Sequence, residues 1–203
     1  MDRNLRVAPS KSLIDRPGHL IPKVLECDDK GCTGTNTDNR IKNALREAKA
    51  CGLHCLVHAG ENGSAASVSE AVYDMFAERI GHGYHILDNA SIYSDMKSKN
   101  VHFEVCPLSS RLTGSVSCDW SQHPVHYFIR DGINFSISTD DPTVTGQWLI
   151  EEEKMLLTKV GLTAEQLKAA NLRAAKACFL GGEDKEDLLR HICARRDSAN
   201  ICA

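Results

Sequence analysis

Apolar and polar positions along the chain change period in a regular order. Leu53 to Val57 is a short apolar run behind Gly52, ending in His58, and reads as a buried strand. Val68, Ala71, Val72, Met75 and Phe76 recur at the i, i+3, i+4, i+7, i+8 spacing of a helix stripe, with Ser64 placed to cap it. Arg79 to His82 predicts a short strand between two helical patterns, with Asp88 as the next cap. Val101 to Cys106 predicts another strand, stopped by Pro107. Pro124 suits the first turn of a helix running to about Arg130 and closed by Gly132, and Ile133 to Ser138 then alternates as a strand. After Gly146 the pattern is helical throughout, with a Thr163-x-x-Gln166 capping box and a charged helix from Glu183 to Arg196. Together with a helix over Asp38 to Ala50, these elements make four βα units, the arrangement of an α/β protein with a parallel sheet.

Residues 1–37 break this rhythm. Pro17, Gly18, Pro22, Gly31 and Gly34 punctuate them, and only Leu20 to Leu25 has the makings of a strand. The expected organisation is an irregular lead segment over 1–37 and one domain over 38–203.

Composition narrows the partners. With 203 residues, 42% hydrophobic content and a formal charge of -3, the chain can bury a core but offers no basic face for nucleic acid or a membrane surface. A small ligand is the expected partner. No apolar run is long enough to span a bilayer and no signal-like segment follows Met1, so a cytoplasmic location is expected. Nine scattered cysteines without a CxxC frame read as reduced structural thiols. The pairs Cys27 and Cys32, and Cys51 and Cys55, are weak metal signals.

The chemistry-bearing residues share an address. His58 and Glu61 follow one strand, His82 a second, Ser109 and Ser110 a third, Asp140 and Asp141 a fourth. All fall at strand C-termini, the face on which catalytic groups converge in a parallel βα barrel. Taken singly, each could be a cap or a satisfied core group, and Asp140-Asp141-Pro142 could be only a turn. His85 and His126 read as structural or surface residues.

Four segments carry a family resemblance. His58-Ala59-Gly60-Glu61, Gly81-His82-Gly83-Tyr84-His85, Phe103 to Ser110 and Ser138-Thr139-Asp140-Asp141-Pro142 resemble successive motifs of the adenosine deaminase family, in order and at similar spacing. Asn171 to Lys176 resembles the family's late helix, and the resemblance runs from about Asn39 to about Leu180. It implies the C-terminal half of a TIM (β/α)8 barrel holding one zinc ion, with His58 and Asp140 as metal ligands. In the implied reaction zinc lowers the pKa of a bound water and the resulting hydroxide attacks C6 of a purine. Glu61 is then the proton shuttle to N1, His82 supports the hydroxide, and Asp141 makes a hydrogen bond at the purine N7. The implied substrate is adenosine or 2'-deoxyadenosine, and the products inosine and ammonia. The Pro-Cys-x-x-Cys signature of cytidine-type deaminases is absent.

One part of the family pattern is missing. The family carries a His-x-His pair on its first barrel strand, and this sequence has none. Eight βα units take roughly 250 residues, so the chain is expected to form about half a barrel, with sheet edges and an apolar inner face open unless another chain or the lead segment covers them, and to be a poorly stable monomer. Three readings follow: an adenosine deaminase represented by an incomplete chain that is inactive alone, a non-catalytic relative or interaction protein, and another purine aminohydrolase acting on AMP, adenine or an N6-substituted nucleotide.

Overall fold

The computed structural model describes residues 5–9, 23–27 and 39–199, with side chains described over 39–194. Its strands form a six-stranded sheet in sequence order: β1 (Leu5–Pro9), β2 (Lys23–Cys27), β3 (His54–Ala59), β4 (Arg79–His82), β5 (His102–Val105) and β6 (Phe135–Ile137). β1 is antiparallel to β2, and β2 through β6 are parallel neighbours. Strands in sequence order joined by helices are the winding of a βα barrel, and this sheet with its helices is part of one.

Two strands fall inside the lead segment, where only Leu20 to Leu25 was expected to have strand character. β2 overlaps the apolar stretch Leu20 to Leu25, and its backbone pairs with β3 from Val24 opposite His54 to Cys27 opposite Val57. Ladder hydrogen bonds supplied by a neighbouring strand override the proline and glycine punctuation on either side. The rest of the lead lies outside the described residues.

Most helices are where the periodicity put them, and α4 and α6 are short helices that it did not indicate. α1 (Asn39–Ala50) buries Ile41, Leu45 and Ala48, and α2 (Ala65–Tyr73) buries Val68 and Ala71. α3 (Ala90–Ser98) is capped by Asn89, one residue past the expected Asp88, because the Asn89 side chain accepts from the amides of Ser91 and Ile92. α4 (Pro107–Thr113) and α5 (Val125–Asp131) follow, then α6 (Pro142–Thr145) and α7 (Leu149–Met155). A π-helical turn, Leu156–Val160, continues α7. α8 (Ala164–Ala177) opens with the Thr163–Gln166 capping box, and α9 (Gly182–Ala199) closes the described chain. No described helix is long and apolar enough to cross a membrane. All described cysteines are free.

Strand alternation divides the sheet into two unlike faces. Cys55, Val57, Ala59, Ile80, Phe103, Val105, Phe135 and Ile137 share one core with Leu45, Val68, Met96 and Phe128 of the helices. The opposite face carries His58, Gly81, Glu104 and Ser136 in one register row, with Arg79 beside His102 in the next. Arg79 pairs with Glu104, and the His102 ring spans Asn134 Oδ1 at 3.0 Å and Ser136 Oγ at 2.9 Å. Over β4 to β6 the inner face expected to be apolar is therefore polar and internally bonded. Leu56 of β3, in register with Arg79, is an apolar exception on that face, and the apolar strand residues named above turn toward the helices.

Candidate metal and catalytic site

The site is assembled where β3, β4, β5 and β6 end. After β3 the chain turns at Gly60 (φ +65°), and its amide donates to Ser67 Oγ at 3.0 Å. After β4 it turns at Gly83 (φ +77°), where a Cβ would meet Phe103 Cδ1 at 2.3 Å, so neither backbone conformation nor space admits a side chain. The two turns are tied together, because the Gly83 amide donates to Ala59 O and the His85 amide to Gly60 O, each at 3.0 Å. Glu61 and His82 are thereby brought side by side.

Glu61, His82 and Asp140 converge: each offers one ligand atom, and these atoms all lie within 4.8 Å of one another. His82 Nε2 stands 3.6 Å from Glu61 Oε2 and 3.9 Å from Asp140 Oδ2. His58 lies against the same cluster, its ring edge-on to His82 with centroids 4.9 Å apart. His82 and Glu61 are buried, whereas the Asp140 side chain is 26% exposed. His82 (φ 66°) and Asp140 (φ 63°) both hold left-handed backbone conformations, which are strained for non-glycine residues.

A polar surround orients these groups. Ser109 Oγ donates to Asp140 Oδ2 at 2.7 Å. The Thr113 and Ser115 hydroxyls lie 3.2 and 3.5 Å from Glu61 Oε1. Beneath them the buried Tyr84 hydroxyl accepts the Cys106 amide at 2.8 Å and lies 2.6 Å from Ser110 Oγ. Burial pushes the Tyr84 phenol well above its ordinary pKa, and burial, reinforced by Asp140, does the same to the Cys106 thiol. Cys106 is therefore a neutral thiol packed under the site.

Imidazole nitrogen and carboxylate oxygen are donors that suit zinc. Atoms sharing one zinc at about 2.0–2.2 Å stand no more than roughly 4.4 Å apart. Asp140 belongs to a set of such donors within 4.8 Å of one another and the His58 ring stands against His82 of that set, so the chemistry of the cluster fits that ion.

The structure brings His58, Glu61, His82 and Asp140 together. Asp141 sits next to Asp140 as the exposed N-cap of α6, outside the three-residue group. The group contains Asp140 and joins Glu61 and His82 to it, while His58, named as a ligand from the family pattern, stands against His82. Sequence reading singled out Ser109 and Ser110 as strand-end polar groups but missed Thr113, Ser115, Tyr84 and Glu152. The first two follow Ser109 along α4 and the turn after it, a spacing that could have signalled them. Nothing near Glu152 in the sequence separates it from Glu151 and Glu153. The weak pair Cys51 and Cys55 is split, one thiol exposed and the other buried.

Parallel strands flanked by helices, with imidazoles and carboxylates gathered at their C-terminal ends, define a partial βα barrel with a polar site at the face where such barrels carry their chemistry. The chain belongs to the adenosine deaminase family, whose members are hydrolytic deaminases: the family model described as adenosine deaminase matches residues 24–195, reaching back into β2. An adenosine deaminase of Danio rerio is 44% identical over 151 residues, covering 74% of this chain and 42% of that protein. One from Clostridium botulinum is 34% identical over 192 residues, covering 94% of this chain and 57% of that protein. The chain thus spans about two-fifths of the length of its vertebrate relatives. Among solved structures, an adenine deaminase from Arthrobacter aurescens superposes with a TM-score of 0.75 at 23% identity, over 80% of this chain and 50% of that one. An amidohydrolase from Burkholderia ambifaria with bound Zn gives 0.73 at 23% identity, over 81% of this chain and 46% of that one. The N6-mAMP deaminase of Arabidopsis gives 0.70 at 22% identity, over 84% and 58%. These likenesses establish the shared fold.

Proposed function

We propose that the chain takes part in hydrolytic deamination of a purine nucleoside, adenosine or 2'-deoxyadenosine, giving inosine or its deoxy form and ammonia. The observation that carries the reading is the convergence of Glu61, His82 and Asp140 at the strand ends. His58 and Asp140 would hold the zinc ion, which when bound supplies a water of lowered pKa. Glu61, buried beside His82, is placed to deliver a proton to N1 of the purine and later to the departing amine. His82 orients the attacking water through Nε2. Asp141, exposed at the start of α6, is placed for a hydrogen bond with the purine edge at N7. A cytoplasmic setting goes with free cysteines.

The sequence has no His-x-His, so the zinc of this reading is held by two of the family's usual ligands and weakly. A partner chain that covers the polar inner face and adds imidazoles completes the proposal. Without it the 203-residue chain turns over adenosine slowly or not at all. A second reading, action on adenine or an N6-substituted nucleotide, draws on the substrates named for the two structural neighbours.

The test is the absorbance change of adenosine to inosine with purified chain and added zinc, beside Glu61→Gln. Turnover that the variant loses supports the proposal. An inactive chain that also fails to bind zinc overturns catalysis by these residues alone, and a panel of adenine, AMP and N6-methyl-AMP separates the second reading.

A further inference from the structure

Glu152 is a deeply buried carboxylate that the reaction outlined above does not use. It sits on α7 with 1% of its surface exposed, and both oxygens are engaged. Oε1 accepts the Leu108 amide at 2.8 Å and Oε2 accepts the Gln147 side-chain amide. Burial raises its pKa against the pull of those two donors. As a space filler it is a poor choice, since an apolar side chain of similar volume would pack there without desolvating a charge.

Its position supplies a reason. α4 lacks a cap of its own: the Cys106 side chain makes no capping bond, and Pro107 has no N–H to give. Leu108 carries the first amide of the helix that needs an acceptor, and Glu152 provides it from 44 residues further along the chain. The residue after Leu108 is Ser109, whose hydroxyl donates to Asp140. Asp140 and Glu152 belong to one continuous segment, which leaves β6, forms α6 and enters α7. Two hydrogen bonds to adjacent residues of α4 therefore pin that segment at both ends.

We propose that Glu152 is a positioning residue for the metal ligand Asp140: by fixing the first turn of α4 it aims the Ser109 hydroxyl at Asp140 Oδ2 and sets the direction of that carboxylate. The inference rests on the reading of Asp140 as a metal ligand given above.

The test uses the full 203-residue chain free of metal and follows the Asp140 carboxyl carbon-13 resonance, assigned with Asp140→Asn. Ser109→Ala is expected to shift that resonance. Glu152→Asp, which keeps the charge but withdraws it from Leu108, and Glu152→Ala are expected to shift it the same way, whereas Glu152→Gln keeps an acceptor and leaves it in place. Zinc titration of the same proteins is expected to weaken by about 10–100-fold in Ser109→Ala and in Glu152→Asp, with no further loss when the two are combined. A resonance that stays put in Glu152→Asp while Ser109→Ala moves it overturns the proposal, as does strict additivity in the zinc series. Should Glu152→Ala fail to fold, the Asp and Gln variants carry the comparison. A parent chain without zinc affinity overturns the metal reading alone, because the carbon resonance still decides whether Glu152 positions Asp140.

Discussion

His58 and Gly81 face each other in register across β3 and β4, and the imidazole covers the glycine so closely that a Cβ there would come within 2.3 Å of His58 Cδ2. The His58 ring therefore rests on a floor that only glycine provides. Gly81→Ala is expected to displace His58, lowering zinc affinity about 10–100-fold and destabilising the fold by about 1–3 kcal/mol. Calorimetric zinc titration and thermal unfolding measure the two effects. Unchanged zinc binding in the variant would remove His58 from the ligand set.

Zinc binding should register as stability. A ligand held only by the folded state raises unfolding free energy by about 2.7 kcal/mol at a hundredfold excess over Kd. The unfolding midpoint of the parent is expected to rise on zinc addition, and Asp140→Asn, which tolerates the left-handed backbone, should abolish the rise. An equal rise in the variant would mean that zinc binds elsewhere, for instance at exposed thiols.

Acid should loosen the fold through two buried histidines. Burial lowers His102 and His123 from 6.5 to about 4. In the unfolded chain each takes up its proton near 6.5, so between pH 6.5 and 4 the unfolded state binds more protons and stability falls as pH falls. The loss is on the order of 2–3 kcal/mol for each group. Urea midpoints measured across that window should decline, and His102→Gln should flatten the slope. A slope equal to the parent's would show that His102 titrates normally in the folded chain.

Much of this architecture was legible from periodicity. The stripe from Val68 to Phe76, the capping box at Thr163 and the glycine stop at Gly132 are local signals, and each element formed there, although α2 ends at Tyr73, short of Met75 and Phe76. β2 was legible only in part, through the stretch Leu20 to Leu25, and β1 was not, because each is held by pairing with a neighbouring strand rather than by a local pattern. The polarity of the inner face was missed for a related reason: Arg79, His102, Glu104 and Ser136 satisfy one another across strands, and no single run displays that. The convergence of Glu61, His82 and Asp140 followed from their place at strand ends. Glu152 could not be anticipated, since its partner Leu108 is chosen by the packing of α7 on α4.

Tyr84 offers a measure of that packing. Its hydroxyl is buried between the Cys106 amide and Ser110 Oγ, so Tyr84→Phe strands a backbone donor away from water. The expected cost is about 1–3 kcal/mol, read as a lower urea midpoint. A variant as stable as the parent would mean that water or a shifted Ser110 replaces the phenol.

Backbone strain at His82 and Asp140 gives the site an evolutionary signature. Each left-handed non-glycine residue costs of order 1–3 kcal/mol, and here two meet at one cluster. Selection for stability alone would install glycine or asparagine at both positions. A lineage released from its chemistry would therefore drift there early, gaining stability with each step. Histidine and aspartate at these two positions are residues that backbone stability alone would not choose.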